Sequence, residues 1–265
     1  MDDEPSTQTL KLWALTKGKR RITMKQLAII NFFMVLFFFL RKIKVAKLMS
    51  MRVSIVIPTK DEPRIQELVN EINDNLQDFD HEIIIVDKSK KKPSLKGAIV
   101  IEQKTAGLAK AILEGIRIAR YENILVMDGD FSHDPKDVKK LLEALRYSEL
   151  VIGSKYLPAS RVEESPVRKV ISRLANITAK IVLNLRVNDS ISGFFAFRKN
   201  IIKNCRMKGI GFKLSTELLF RTKGKVKVEE VPIIFRKRRE GKSKFNVIEI
   251  FRFLNLLMKL RLESI

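Results

Sequence analysis

From Met51 onward, short apolar runs alternate with stretches of helical periodicity, and this alternation limits the folds open to the chain. The apolar runs predict strands at residues 53–57, 82–86, 99–101, 123–127 and 150–152. Between them, apolar positions recur with a helical period over residues 107–120 and 137–145. Strands that alternate with helices form a largely parallel sheet covered by helices. The sequence therefore predicts one α/β domain over residues 51–265.

The last third of the chain has a less regular pattern. It predicts helices at 168–185 and 215–221, and strands at 193–198 and 227–235. A final amphipathic helix is predicted over about residues 246–260. Its wide apolar face suits either packing on the core or lying in a membrane interface, with Arg252 and Lys259 reaching the headgroups.

The first 50 residues differ in composition from the rest. No acidic residue occurs between Pro5 and Lys60, and within this stretch the run Leu27–Leu40 has only Asn31 as a polar residue. As a helix this run is about 21 Å long, shorter than the hydrocarbon core of about 30 Å. We predict a basic N-terminal extension, residues 1–50, with a hydrophobic helix at about 24–48 that forms an interfacial or short membrane anchor. The alternative is an upstream extension outside the functional domain, which begins at Met51.

The charge balance indicates a negatively charged partner. The chain has 52 Lys and Arg against 30 Asp and Glu, a net charge of +22, which suits nucleic acid, anionic lipid or a phosphorylated substrate. No nucleic-acid module is recognisable, and the aromatic residues cluster in apolar runs, so we expect no nucleic-acid partner. A non-enzymatic basic protein that binds nucleic acid or membranes is the alternative from another class. Cys205, the single cysteine, excludes an internal disulfide and suits a reducing, cytoplasmic-side location.

Polar clusters follow three of the predicted strands, at Pro58–Glu62, Asp87 and Asp128–Asp130. Ligands of such sheets bind beyond the carboxyl ends of the strands. Two carboxylates on a tight turn are suitable ligands for Mg²⁺ or Mn²⁺, which prefer hard oxygen atoms and often share a diphosphate. An Asp-x-Asp tripeptide also occurs in ordinary loops, so its position after a buried strand is what favours a metal and nucleotide site.

Several motifs in a fixed order make the chain similar to a known family. They are Ser54–Glu62, Ile84–Asp87, Gly107–Gly115, Val126–Pro135, Gly153–Tyr156, Arg168–Arg173, Asp189–Phe195, Gly211–Glu217, Glu230–Arg238 and Gly241–Lys244. Together they resemble glycosyltransferase family 2, and within it the dolichyl-phosphate mannose synthases and related polyprenyl-phosphate sugar synthases. The resemblance covers about residues 51–260. It implies a GT-A (nucleotide-diphospho-sugar transferase) fold, with a mostly parallel central sheet flanked by helices. The N-terminal hydrophobic helix, predicted from the apolar run alone, is added to this fold.

The resemblance also implies an activity. A hexose, with mannose favoured, would pass with inversion from a nucleotide sugar to dolichyl or polyprenyl phosphate, with Mg²⁺ or Mn²⁺ as cofactor. GDP-mannose is the favoured donor and UDP-glucose the alternative. A same-fold enzyme with a non-lipid acceptor is a further alternative. We expect membrane lipids as partners and a membrane-associated protein whose catalytic domain lies on the cytoplasmic face.

The family's functional residues correspond to particular positions of this sequence. The implied catalytic residues are Asp128, Asp130, Arg168 and Arg238, and the implied metal ligands are Asp128, Asp130 and Ser132. The implied donor-binding residues are Pro58, Thr59, Glu62, Asp87, Asp128 and Lys244. The acceptor phosphate would contact Lys155, Arg168 and Ser172, and the sugar and acceptor loop would contain Asp189, Ser192 and Gly193.

Two positions depart from the family pattern. Lys88 follows Asp87 where relatives commonly have a second acidic residue that helps to hold the nucleobase, so the choice between guanine and uracil stays open. Lys155 stands where an Arg is frequent, which keeps the charge but loses the bidentate fork. His133 begins a helix in Ser-His-Asp-Pro, and we predict a structural role for it.

Overall fold

The computed structural model describes residues 29–35, 37, 51–203, 205–211, 213–237 and 247–263. The chain divides into two units, residues 1–48 and 49–265. In the first unit, residues 29–35 and 37 are helical and exposed. They do not show the hydrophobic helix predicted at about 24–48, because the other residues of that range lie outside the described residues. Within the described stretches, no helix is both long enough and apolar enough to cross a membrane.

The second unit is built on two sheets. Its strands are β1 Arg52–Thr59, β2 Asp80–Asp87, β3 Ile99–Glu102, β4 Asn123–Val126, β5 Leu150–Ser154, β6 Arg161–Val162, β7 Phe195–Arg198, β8 Val228–Pro232 and β9 Ile234–Phe235. The main sheet has seven strands in the order β3-β2-β1-β4-β7-β5-β8. All of its neighbours are parallel except β7, which is antiparallel to β4 and β5. Strands β6 and β9 form a separate parallel pair.

Helices connect and cover these strands. They are α1 Ile65–Asn75, α2 Leu108–Ile118, α3 Val138–Leu145, α4 Pro166–Leu183, α5 Asn200–Lys203, α6 Leu214–Arg221 and α7 Val247–Leu262. Helix α2 lies against β1 and β2, and α3 lies against β5, β7 and β8. Burial of β1 and β2 explains their continuous apolar runs, because parallel strands covered by helices have no water-facing side.

Most of the predicted elements are confirmed. The short elements α5 and β6 were not predicted, and two longer stretches need correction. Helix α1 was not among the predictions, although its buried residues Ile65, Leu68, Val69 and Ile72 have helical spacing. The single strand predicted at 227–235 is wrong, because β8 ends at Pro232 and the chain then changes partner. The Ile233 N–H donates to the Ser154 carbonyl of β5, and the next two residues pair with β6 instead.

Helices α4 and α7 pack on each other and contribute residues to the core. Ala179 and Leu183 of α4 are buried together with Leu256 and Leu260 of α7. The other sides of both helices carry exposed apolar residues. This arrangement leaves apolar surface beside the carboxyl end of the sheet.

Candidate active site

The carboxyl ends of β1 and β2 meet through a hydrogen bond. Their parallel register pairs Thr59 with Asp87, and the Thr59 hydroxyl donates to Asp87 Oδ1 over 2.8 Å. The Ser89 backbone N–H donates to Asp87 Oδ2 over 2.7 Å, and the Ser89 hydroxyl donates to Oδ1 over 2.9 Å. Asp87 is buried, so its carboxylate organises the loop after β2. The adjacent Lys88 is exposed.

The Asp128–Asp130 turn follows β4 directly and is held by its own loop. The backbone N–H of Ser132 donates to Asp130 Oδ1 over 2.9 Å. Gly129 lies against the end of β1, where a Cβ would come within 2.8 Å of the Thr59 methyl carbon. Only glycine lets the turn approach the sheet this closely. The two carboxylates are therefore presented at the strand ends, as the sequence predicts.

His133 supports this turn from the buried side. Its Nδ1 accepts a hydrogen bond from the Asp128 backbone N–H over 3.1 Å, and its ring stacks on Phe194 with 4.9 Å between centroids. Burial lowers the pKa of His133, although the negative charge of Asp128 opposes this effect. A neutral ring fits the acceptor role of Nδ1. These contacts give His133 a structural role, which is to hold the Asp128–Asp130 turn in place.

A cavity of about 480 Å³ opens beside the Asp128–Asp130 turn. Its lining includes most of the site residues predicted from the sequence: Asp128, Asp130, Ser132, Lys155, Arg168, Ser172, Asp189, Ser192 and Gly193. The other predicted residues with a described position, Pro58, Thr59, Glu62 and Asp87, do not line it. Arg238 and Lys244 lie outside the described residues. The structure thus brings the predicted metal, acceptor and sugar-loop residues to one cavity and places the donor residues of β1 and β2 beyond it.

The loop before β7 forms one wall of the cavity. Asp189 is buried, its Oδ2 accepts from the Lys155 backbone N–H over 3.2 Å, and its backbone N–H donates to Glu230 over 2.9 Å. Its Oδ1 has no hydrogen-bond partner among the described residues. Burial raises the pKa of Asp189, against the hydrogen bond and the positive charge of Lys155. The Ser192 hydroxyl, in contrast, donates to the Gly153 carbonyl over 2.7 Å.

Positive charge also lines the cavity. Lys155, Arg168 and Lys213 all line the cavity, and Lys155 forms a bidentate ion pair with Glu164. Burial lowers the pKa of Lys213, although the carboxylate of Asp128 opposes this effect. An anion that entered the cavity would therefore meet several cations at close range.

The predicted acceptor residue Ser172 shares a hydrogen bond with a neighbouring phenol. Its Oγ lies 2.9 Å from the Tyr156 hydroxyl oxygen. Burial raises the pKa of Tyr156 to about 12, although the hydrogen bond to Ser172 opposes this effect. Tyr156 is therefore a neutral hydrogen-bonding group at physiological pH.

Sequence reasoning missed two charged residues of the cavity, Glu164 and Lys213. Lys213 lies in the Gly211–Glu217 motif, so its position in a family motif could have identified it, but it was given no role. Glu164 had no such signal, because it lies in an ordinary polar stretch before α4. The sequence also gave no role to Ile171, Leu174 and Leu254, which form an apolar part of the lining.

The oxygen ligands at the turn fit a divalent ion shared with a substrate. No group of three or more His, Cys, Asp or Glu side chains that could hold a metal by itself occurs in the described part of the chain. Mg²⁺ bound to a nucleotide usually takes only one or two protein carboxylates, and phosphate oxygens and water complete its coordination. Asp128, Asp130 and Ser132, which all line the cavity, match this incomplete set of ligands.

The family model for glycosyl transferase family 2 matches residues 54–206 of this chain. The chain belongs to glycosyl transferase family 2. Its fold is the GT-A-like α/β fold of these glycosyltransferases, with a mostly parallel central sheet. The matched residues include the Asp128–Asp130 turn and two basic residues of the cavity, Lys155 and Arg168.

Curated relatives of this family 2 chain include the dolichol-phosphate mannosyltransferase of Pyrococcus furiosus. The two are 35% identical over 226 residues, which are 79% of this chain and 64% of the relative. The dolichol-phosphate mannosyltransferase of Saccharomyces cerevisiae is 33% identical over 171 residues, 61% of this chain and 63% of the relative. In both cases the match spans less than two thirds of the relative.

A solved structure shares the fold of the family 2 chain. The glucosyl-3-phosphoglycerate synthase of Mycobacterium tuberculosis, in complex with Mn²⁺, UDP-glucose and phosphoglyceric acid, superposes with a TM-score of 0.63. The superposition covers 83% of this chain and 82% of that chain, at 16% sequence identity. At this identity the similarity shows the fold alone.

Proposed function

We propose that the chain transfers a hexose, with mannose favoured, from a nucleotide sugar to a polyprenyl or dolichyl phosphate. The observation that carries the proposal is a cavity with the basic residues Lys155, Arg168 and Lys213 in its lining, whose wall continues into the exposed apolar faces of α4 and α7. Positive charge beside apolar surface suits an acceptor with a phosphate head and a hydrocarbon tail. The names of the curated relatives, which are mannosyltransferases acting on dolichol phosphate, support the same acceptor.

The apolar surface consists of one stripe on each helix. On α4, exposed apolar residues recur every three or four positions: Val167, Val170, Leu174, Ile177 and Ile181. On α7 they are Phe251, Leu254, Met258 and Leu262. Leu174 and Leu254 also line the cavity, so the surface and the cavity are continuous. A soluble protein rarely exposes apolar stripes on two adjacent helices, and an interaction with lipid would cover them.

Basic residues accompany the apolar stripes. Helix α4 has no acidic residue and contains Arg168, Lys169, Arg173 and Lys180. Anionic headgroups attract such residues when the adjacent apolar face enters the membrane interface. This combination supports association of the catalytic unit with a membrane surface, and we place that unit on the cytoplasmic face, where Cys205 would stay reduced.

The donor would bind at the carboxyl ends of β1, β2 and β4. Thr59 and Asp87 form the edge where the nucleoside would lie, and GDP-mannose is the favoured donor. Asp128, Asp130 and Ser132 would hold Mg²⁺ or Mn²⁺ together with the donor diphosphate. A bound divalent ion would neutralise the negative charge that develops on the leaving nucleoside diphosphate.

The acceptor phosphate would lie against Lys155, Arg168 and Ser172. With a second pKa near 6, a phosphate monoester is largely ionised at neutral pH, so its oxygen attacks without a general base. That oxygen forms a bond to the anomeric carbon from the face opposite the leaving group. The bond from that carbon to the diphosphate oxygen breaks, and its electron pair leaves with the nucleoside diphosphate, which inverts the anomeric centre. The cations position the phosphate and screen its charge.

The test is transfer by purified full-length protein in lipid vesicles that contain polyprenyl phosphate. GDP-mannose and UDP-glucose are each supplied as radiolabelled donors, with Mn²⁺, Mg²⁺ or a chelator. We expect label in the lipid fraction with GDP-mannose and a divalent ion, and a loss of about 100-fold or more in Asp130→Asn, since this variant loses a charge that the transition state requires. A parallel reaction supplies phosphoglyceric acid as the acceptor, and transfer to it without transfer to lipid would refute the lipid acceptor. Undiminished transfer by Asp130→Asn would refute the role of that residue.

A further inference from the structure

Two of the cations in the cavity already have an anionic partner. The Lys155 ammonium lies 3.1 and 3.0 Å from the two carboxylate oxygens of Glu164, and Arg168 Nε lies 3.6 Å from Glu164 Oε1. The Glu164 side chain is 5% exposed and that of Lys155 is 11% exposed. All three residues line the same cavity. The protein's own carboxylate therefore lies between the two cations that are proposed to bind the acceptor phosphate.

The backbone around Glu164 is held on both sides. The Glu163 N–H donates to the Phe235 carbonyl over 2.8 Å, next to the pairing of β6 with β9. On the other side, Ser165 caps the 18-residue helix α4, and its hydroxyl accepts from the Arg168 N–H. Glu164 thus lies just before a helix N-terminus, where the helix dipole favours a negative group. A phosphate near Arg168 would occupy the same favourable potential.

Lys155 has other contacts that do not depend on Glu164. Its ammonium lies 4.7 Å from the centre of the Phe235 ring and 5.6 Å from that of Tyr156. Cation–π contacts of this length attract an ammonium group. These contacts would keep Lys155 in the cavity after Glu164 had turned away from it. Arg168, whose side chain is 49% exposed, can reach a ligand from the cavity mouth.

We propose that Glu164 is an internal counter-anion that the acceptor phosphate displaces from Lys155 and Arg168. This inference rests on the proposed lipid-phosphate acceptor and adds a residue that sets the affinity of the phosphate site. In the empty cavity, Glu164 reduces the repulsion between the two cations and holds them close together. A phosphate dianion brings more negative charge than the carboxylate and replaces it as their partner, whereas weaker anions are excluded.

The direct consequence is that removing the charge of Glu164 strengthens phosphate binding. We expect Glu164→Gln in the full-length protein to bind inorganic phosphate about tenfold more tightly than the wild type, a change equivalent to about 1.4 kcal/mol. Calorimetry with inorganic phosphate, without donor or lipid, measures this change. Glu164→Asp keeps the charge and should retain an affinity close to that of the wild type.

Glu163→Gln is the matched control, because it removes the same charge from the exposed neighbouring residue. Solvent screens an exposed charge, so its effect on phosphate affinity should stay within about twofold. An affinity of Glu164→Gln that is weaker than that of the wild type, or within the range of Glu163→Gln, overturns the proposal. A purely structural role of Glu164 would produce that result together with a lower Tm.

A second measurement applies if Glu164→Gln is unstable. Phosphate should raise the Tm of Glu164→Gln more than that of the wild type, because ligand binding to the native state stabilises it by mass action. A Tm that rises no more than that of the wild type overturns the proposal. Failure of the proposed function would give a different result. The wild type would then make no glycosyl lipid, whatever the phosphate affinity of the variants.

Discussion

Gly193 provides the space that the Asp128 carboxylate occupies. A Cβ at position 193 would lie 3.0 Å from Asp128 Oδ2, 3.3 Å from Oδ1 and 3.3 Å from His133 Cε1. The backbone of Gly193 is not in the left-handed region, so alanine can adopt its conformation. Gly193→Ala is therefore a steric change directed at Asp128, with little backbone strain.

The size of the effect follows from these distances. Nonbonded heavy atoms attract each other best at about 3.5–4.0 Å, so the Asp128 carboxylate must move by about 0.5 Å. Buried His133 blocks one side, since its ring nitrogen accepts from the Asp128 N–H. A displacement of about 1 Å in an active site can lower a rate about 100-fold, so about 0.5 Å predicts a loss of about tenfold in kcat/KM. If Asp128 helps to hold a divalent ion, more Mn²⁺ is needed for half-maximal rate.

The assay is the initial rate of transfer to polyprenyl phosphate over a series of Mn²⁺ concentrations, with Tm measured in parallel. Gly224→Ala is the control, because its φ of 72° makes alanine unfavourable while no atom lies within 4 Å of the added Cβ. We expect Gly224→Ala to lower stability by about 1 kcal/mol and to leave the Mn²⁺ dependence unchanged. Gly193→Ala should show the opposite pattern, with a changed Mn²⁺ dependence and a nearly unchanged Tm.

Two results would refute this reasoning. Wild-type kcat/KM and Mn²⁺ dependence in Gly193→Ala would mean that the position of the Asp128 carboxylate does not matter for the reaction. A loss of activity in proportion to a loss of folded protein would mean that Gly193 serves the packing of its loop and not the site.

Two further predictions concern the lipid-facing helix and the buried carboxylate. Val170 and Ile181 are 58% and 74% exposed on α4, and burying each in lipid contributes about 1–2 kcal/mol. Changing both Val170 and Ile181 to Ser should raise KM for long-chain polyprenyl phosphate in vesicles by about tenfold or more. Ile118→Ser, on α2, is the control and should leave this KM unchanged. An equal rise in KM in both variants would contradict the proposal that α4 contacts the membrane. Burial raises the pKa of Asp189, so its contribution to stability is present at low pH and is lost as pH rises through that pKa. Asp189→Asn removes this loss, so its Tm should gain on that of the wild type as pH rises above the ordinary pKa of an aspartate, about 4. A constant difference in Tm would contradict the effect.

The sequence alone was sufficient to predict the α/β domain and one side of its site. Strands β1, β2 and β4 have continuous apolar runs because both of their faces are buried, and the polar residues that follow each run must lie at a single sheet edge. This reasoning located Asp87, Asp128 and Asp130 without knowledge of the fold. Thr59 and Asp87 meet at this edge because parallel pairing aligns the ends of β1 and β2.

Tertiary structure decided which residues line the cavity together with Asp128 and Asp130. Lys213, at the start of α6, and Glu164, before α4, reach it from distant segments, and nothing in the local sequence of Glu164 indicates an ion pair with Lys155. The split between β8 and β9 likewise depends on pairing with β6, which a strand pattern does not contain. The orientation of α4 also depends on tertiary packing. Its apolar positions predict an amphipathic helix, but they do not predict which of these residues stay exposed. The hydrophobic periodicity of a segment predicts which of its own faces is buried. Ion pairs between distant residues, and the apolar surfaces that stay exposed, are decided only when distant segments pack together.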